Sequence, residues 1–173
     1  MKEAKRLQES VKYVAHRGYS MQAPENTLPA FELAGESGFW GIELDTYCTV
    51  DGHWIVHHDR TVDRMTNGTG AVHEHTLAQI EQLEIRAGHN IEQYSNLKIP
   101  KLEDVLELNE RYQMHVFVEV KGYHKDEDLK RLVELLQQSG IHRYSVIDFE
   151  AENLRKIRAI IKQLPLGFLI GRE

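Results

Sequence analysis

His115-Val116-Phe117-Val118-Glu119-Val120-Lys121 is the stretch that decides the fold. Valine and phenylalanine occupy neighbouring positions in it, so both faces of the strand it predicts are apolar. Such a strand is covered on two sides, as in a parallel sheet layered with helices. Downstream, residues 126–138 predict an amphipathic helix with Leu129, Leu132, Val133, Leu135 and Leu136 on one side, an aspartate cap at its start and Gly140 as its stop. Further strand signals lie at residues 11–16, 42–50, 144–149 and 166–170, and helix signals at 27–37, 102–108 and 150–163. In the first of these helices Asn26 or Thr27 supplies the N-cap and Pro29 falls in the first turn, while the glycines at 35, 38 and 41 read as helix-end and turn residues. Asp51-Gly52 between strand signals at 42–50 and 54–58 predicts a hairpin. Strands alternating with helices make a parallel sheet covered by helices. Pattern alone leaves an open doubly wound sheet and a closed barrel as alternatives. Polar residues gathered at the carboxyl ends of several strands favour the (β/α)8 barrel.

The 173 residues are enough for one domain with a substantial core, and 41% hydrophobic with 28% charged residues is ordinary for a globular protein. A net charge of -6 argues against a nucleic-acid partner, which needs a clustered basic face. No apolar run approaches the roughly 20 residues of a spanning helix, so no transmembrane segment is expected. Residues 1–11 are charged and lack the apolar core of a secretory leader. The single cysteine, Cys48, excludes an internal disulfide and reads as a small buried hydrophobe on a strand. A cytoplasmic address is the expectation. Residues 59–100 are irregular apart from a short helical piece at 77–83, which points to an insertion or a functional loop.

Glu43 and Asp45 are two apart on a strand and project from one face. Two carboxylates there repel unless a cation or a proton sits between them, and a hard divalent ion, magnesium or calcium, meets the need. An exposed acidic strand end is the alternative. Glu119 weighs against it, because an unpaired carboxylate in so apolar a strand is costly to bury. Lys121, on the same face as Glu119, is suited either to a phosphate oxygen or to an ion pair with Glu119. His16 ends the first strand and is a candidate general acid or base beside such a site. Arg17 offers a planar fork for a phosphate. His57 and His58 face opposite ways if their strand continues, and periodicity does not choose between them. His73-Glu74-His75 lies in a polar loop and reads as a solvated stretch.

Taken together, several motifs resemble those of the glycerophosphodiester phosphodiesterase family. They are His16-Arg17-Gly18, Pro24-Glu25-Asn26-Thr27, Gly41-Ile42-Glu43-Leu44-Asp45, Thr49-Val50-Asp51-Gly52, Val56-His57-His58-Asp59, the run from Asp63 to Gly70, the run from Ile99 to Leu106, and Glu119-Val120-Lys121. The likeness spans residues 12 to 170. It implies a TIM barrel with a small insertion after the second strand, covering residues 51–100 of a single domain over residues 1–173. The activity it implies is metal-dependent hydrolysis of glycerophosphodiesters to glycerol 3-phosphate and an alcohol. By the same resemblance Glu43, Asp45 and Glu119 are the metal ligands, with Mg2+ or Ca2+ as cofactor. His16 and His58 are the catalytic acid–base pair, and Arg17 and Lys121 bind the substrate phosphate. His58 is chosen over His57 because it directly precedes Asp59. The family usually has a serine before the phenylalanine of the fourth parallel strand, where this chain has Asp148-Phe149.

Parallel strands are expected near residues 14, 43, 117, 146 and 168, which makes about five of the eight strand–helix units of such a barrel. The barrel is therefore expected to be incomplete, with two sheet edges and part of an apolar interior open. A second chain or a homodimer through the open edges would cover them. Two other readings follow. One is an impaired homologue that binds metal or phosphate, or that oligomerises. The other is a lysophospholipase D-type enzyme using the same site chemistry.

Overall fold

Six strands and five α-helices alternate through the computed structural model, which describes residues 11–122 and 124–171. Residues 1–10, most of the charged stretch noted above, lie outside them. The strands are β1 (Val14–His16), β2 (Gly41–Cys48), β3 (Trp54–Val56), β4 (His115–Val120), β5 (Tyr144–Asp148) and β6 (Leu166–Phe168). The helices are α1 (Leu28–Glu36), α2 (Leu77–Gln82), α3 (Leu102–Tyr112), α4 (Asp126–Gln138) and α5 (Ala151–Ile160). The sheet runs β1-β2-β4-β5-β6, all parallel, and β3 folds back antiparallel on the end of β2 as the predicted hairpin.

Strand order decides between the two architectures that pattern left open. A doubly wound sheet reverses its strand order at a switch point. Here the parallel strands follow chain order without reversal, with α1, α3, α4 or α5 in each connection. That is the winding of a (β/α)8 barrel. Among the described residues β6 does not pair with β1, so the sheet is open.

Side-chain alternation separates the faces. Ile42, Leu44, Val116, Val118, Val120 and Val146 point to the helices and join Phe31, Leu102, Leu106, Leu129, Leu132, Leu136 and Ile157 in the main core. Their partners in the alternation, Glu43, Asp45, Phe117 and Glu119, share the inner face. A second, smaller core lies under the segment after β3, where Ile55, Val62, Met65, Val72, Ile80, Ile85 and Ile99 pack together. The segment read as irregular therefore has its own apolar anchor, two 3-10 turns and the capped helix α2.

Several boundaries differ from expectation for identifiable reasons. Residues 11–13 precede the first strand, and β1 stops at His16 because Arg17 (φ 57°) and Gly18 (φ 75°) both turn left-handed. A Cβ on Gly18 would fall 2.7 Å from the backbone of Ala30, so only glycine lets α1 approach this closely. Thr27, not Asn26, caps α1, its hydroxyl accepting from the Ala30 amide. Gly35 sits inside α1 instead of ending it, because Tyr112 lies where a Cβ would project, and Gly41 opens β2. Helix α3 runs past Leu108 to Tyr112: Asn109 is buried and its side chain exchanges hydrogen bonds with the Met114 backbone, tying the helix end to β4. At α4 the capping carboxylate is that of Asp128, which accepts from the Lys125 amide at 3.2 Å. Strand β5 ends at Asp148, whose side chain accepts from the Glu150 amide at 2.7 Å and so starts the turn into α5. Helix α5 closes at Ile160, short of residue 163, and β6 at Phe168, short of residue 170.

Candidate active site

Pairing register builds the acidic cluster. His16 lies opposite Glu43 between β1 and β2, and Asp45 lies opposite Glu119 between β2 and β4. Glu43, Asp45 and Glu119 are 7%, 1% and 7% exposed, and each offers an oxygen within 4.8 Å of the others. Carboxylates buried this deeply need compensating charge and hydrogen bonds. Lys121 supplies part: its Nζ lies 2.7 Å from Glu119 Oε1 and 3.4 Å from Asp45 Oδ1. Arg17 Nε lies 3.4 Å from Asp45 Oδ2, and the Arg17 amide donates to Glu43 Oε2 at 3.0 Å. Asn26 adds a reciprocal pair, donating from Nδ2 to Asp45 Oδ2 at 2.8 Å and accepting from the Asp45 amide at 3.3 Å.

Three carboxylates thus face two fixed cations. Glu43 bears the imbalance: burial, then the neighbouring Asp45 charge, pushes its carboxyl up to about 8. Its Oε1 is buried with no hydrogen-bond partner. An orphaned oxygen, a carboxyl that resists ionisation and an all-oxygen donor set together fit a hard divalent cation.

The histidines separate cleanly. His16 keeps 68% of its side chain exposed, with Nε2 3.8 Å from Glu43 Oε2; partial burial, then the Arg17 charge, holds its pKa below the ordinary value. His58 directs Nδ1 to Asp59 Oδ1 at 2.7 Å, which leaves Nε2 for other work, and it is close enough to His16 for their charges to interact. His57 is 4% exposed and its Nε2 is engaged by the Thr61 carbonyl at 2.9 Å. Residues chosen from the sequence, namely His16, Arg17, Glu43, Asp45, His58, Glu119 and Lys121, are therefore gathered on the inner face at the carboxyl ends of β1, β2, β3 and β4. His75 lies in the segment after β3 with Nδ1 on the Ala71 carbonyl, and His73 ends no strand.

Sequence assigns Asn26 only as an alternative N-cap and Asp59 only as the neighbour that selects His58, and it gives Glu25 and Arg64 no place in the site. Asn26 is 3% exposed with φ 56°, a conformation in which asparagine is tolerated better than most residues. Its signal was Pro24-Glu25-Asn26-Thr27, a polar run too short to reveal that one member turns inward. Glu25 and Asp59 form ion pairs with Arg64 at 2.6 and 2.5 Å. Burial alone would raise the Asp59 carboxyl, but hydrogen bonds from Arg64 and His58 hold it down at about 2. A cleft of about 570 Å³ lined by Asp51, Trp54, Leu106, Arg131 and Leu135 lies on the helical outside of the sheet. It holds none of the buried, charge-compensated groups that mark a reactive centre, so the inner-face cluster is the better candidate.

Residues 16–173 match the profile of the glycerophosphoryl diester phosphodiesterase family. A glycerophosphodiester phosphodiesterase of Caldanaerobacter subterraneus subsp. tengcongensis is 37% identical over 163 residues, covering 90% of this chain and 65% of that protein. Human glycerophosphodiester phosphodiesterase 1 is 38% identical over 149 residues, covering 84% of this chain and 44% of its own length. Among solved structures, an Oleispira antarctica phosphodiesterase in complex with the product sn-glycerol-3-phosphate superposes with a TM-score of 0.84 at 30% identity, covering 93% of this chain and 66% of that one. The glycerophosphodiester phosphodiesterase of Agrobacterium tumefaciens gives 0.80 at 31% identity, covering 90% and 65%. The chain thus spans about two thirds or less of these relatives' length.

Proposed function

The chain belongs to the glycerophosphoryl diester phosphodiesterase family, and on that footing we propose that it is a metal-dependent phosphodiesterase hydrolysing glycerophosphodiesters to glycerol 3-phosphate and an alcohol. One observation carries the reading: three buried carboxylates with an orphaned oxygen share an inner face with two cations and two histidines that reach solvent. The product held by the Oleispira antarctica relative, sn-glycerol-3-phosphate, is the product proposed here.

Glu43, Asp45 and Glu119 are the residues that would hold the ion. When bound, a divalent cation supplies charge neutralisation at the phosphoryl oxygens. Arg17 and Lys121 are assigned to the phosphate. Arg17 presents a planar fork, and Lys121 holds an ammonium beside the carboxylates. His16 and His58 divide the proton transfers. One takes the proton of the attacking oxygen as its bond to phosphorus forms. The other gives a proton to the departing alcohol as the second P–O bond breaks. The attacking oxygen is either water, which gives glycerol 3-phosphate directly, or the glycerol 2-hydroxyl, which gives a cyclic phosphate that water then opens at the 2-oxygen with the histidine roles reversed. Asp59 on Nδ1 of His58 fixes which ring nitrogen is free for that transfer.

The proposal extends to organisation. Residues 51–100 form an insertion region within a barrel domain spanning residues 1–173, supported by their separate core. No helix among the described residues is long and apolar enough to cross a membrane, and with one buried free cysteine a cytoplasmic address is the reading adopted. Two copies associate across the open sheet, a reading supported by exposed apolar side chains at both its edges.

Release of glycerol 3-phosphate from glycerophosphocholine, with and without added Mg2+ or Ca2+, tests the activity. Turnover should depend on the cation, vanish in Glu43→Ala and fall roughly a hundredfold or more in His16→Ala. A folded, soluble sample with no cation-dependent turnover would sink the reading.

A further inference from the structure

Arg64 stands on the segment after β3, outside every strand end, yet it joins the two sides of the site. Its Nε lies 2.5 Å from Asp59 Oδ2, and its Nη2 lies 2.6 Å from Glu25 Oε1. The same Glu25 oxygen accepts from Arg17 Nη1 at 3.1 Å. The other oxygen of Asp59 meets His58 Nδ1 at 2.7 Å. A continuous chain therefore runs His58–Asp59–Arg64–Glu25–Arg17 and ends on Asp45, 3.4 Å from Arg17 Nε.

Resting on the function proposed above, we propose that Arg64 is a positioning residue that holds His58 and Arg17 in mutual register. Each carboxylate it grips orients one working group: Asp59 sets the ring of His58, and Glu25 sets the guanidinium of Arg17. Only a planar fork serves two carboxylates on separate edges at once; a lysine ammonium is a single point of charge. The fork is itself well held. Its neighbours Val62 and Met65 are 0% and 3% exposed in the second core, and Arg64 Nη1 lies 3.0 Å from Met65 Sδ. The segment from which it projects is tied down by the Thr61–Ala71 bridge and by the Gly70 amide donating to Asp63. The segment after β3 thereby sets the spacing between an acid–base group and a phosphate-binding group that no strand pairing fixes.

Half-exposed ion pairs contribute little to stability, so a purely structural Arg64 would be nearly silent in every assay. A positioning Arg64 would not. In Arg64→Met the full chain should keep its melting temperature and its Mg2+ affinity by calorimetry, while kcat for glycerophosphocholine falls roughly ten- to a hundredfold. The pH–rate profile should change shape, because His58 loses its fixed partner. Arg64→Lys should restore only part of the loss. A second readout needs no turnover: the Nδ1 proton of His58 should exchange with water several-fold faster in Arg64→Met, by 1H–15N spectroscopy. Unchanged kcat, pH profile and proton exchange in a folded variant would overturn the proposal. A wild type without turnover whose His58 proton is protected only when Arg64 is present would overturn the activity and leave the positioning role standing.

Discussion

Asn26 shows how much of the site depends on a single uncharged side chain. It is buried, held left-handed, and gives one hydrogen bond to Asp45 while taking another. Asn26→Asp would replace the donor at 2.8 Å with a second carboxylate beside Asp45. Asn26→Ala would leave a buried carboxylate short of a partner and a left-handed residue without its local compensation. The alanine variant should lose about 1–3 kcal/mol in urea unfolding. The aspartate variant should lose more at neutral pH and recover as its own carboxyl is protonated. Equal stability of both variants and the wild type would contradict this account. The same residue marks the limit of what the sequence disclosed. Glu43, Asp45 and Glu119 were legible because strand period puts alternate residues on one face and because a carboxylate in an apolar strand demands a partner. His57 and His58 were not separable by that logic. Strand β3 ends at Val56, before either of them, so the two-residue period no longer governs their directions. Burial of His57 against the Thr61 carbonyl makes the distinction, and it depends on the path of the loop.

Element ends decided which residues face the site, and there local hydrogen bonds outweighed periodicity. The interiors of α1, α4 and β4 followed hydrophobic spacing closely. Strand ends did not, as Asp148 illustrates. Its carboxylate, 1% exposed, accepts from the Glu150 amide at 2.7 Å and from Asn153 Nδ2 at 2.9 Å, so it serves the start of α5 and not the inner face. Burial pushes its carboxyl up from 3.8 to about 6 against the pull of those two hydrogen bonds. The folded chain therefore holds this proton more tightly than the unfolded chain does. Stability from this group is full below pH 3.8 and is lost as pH rises through about 6. One pKa unit being about 1.4 kcal/mol, the loss is on the order of 3 kcal/mol at most. Asp148→Asn should remove that component of the pH slope between pH 4 and 6. The difference in slope between the two proteins is the readout, since the amide also alters the cap itself. Parallel slopes through that interval would show that Asp148 ionises as freely in the fold as out of it.

At the scale of the whole molecule, the inner face carries the candidate site, and the sheet around it is open among the described residues. Below the acids, Trp40 stacks on His115 and Phe117 tilts against it, with centroids 5.0 and 4.5 Å apart. Lys12 and Arg143 lie over Trp40 at 4.4 and 5.4 Å, so part of this aromatic layer is already covered by cations. Among the described residues the edges have no such cover. Val11 and Tyr13, just before β1, and Val14 within it are 50%, 59% and 37% exposed, and Phe149, Phe168 and Ile170 are 49%, 55% and 89% exposed in or beside β6. Edges of only three residues each are weak templates for strand pairing. On the proposed association, the drive resides in the apolar side chains and not in unpaired backbone. A second copy laid across them should bury about 1,200 Å² or more in total, the lower bound for a stable interface. Sedimentation equilibrium should then give twice the chain mass at micromolar concentration. Val14→Lys together with Phe168→Lys should return the monomer with the acidic cluster intact, as judged by unchanged cation affinity. A wild type that sediments as a monomer at every concentration would show that the exposed edges stay solvated, and that the acids, arginines and histidines keep their places without a partner across the open face.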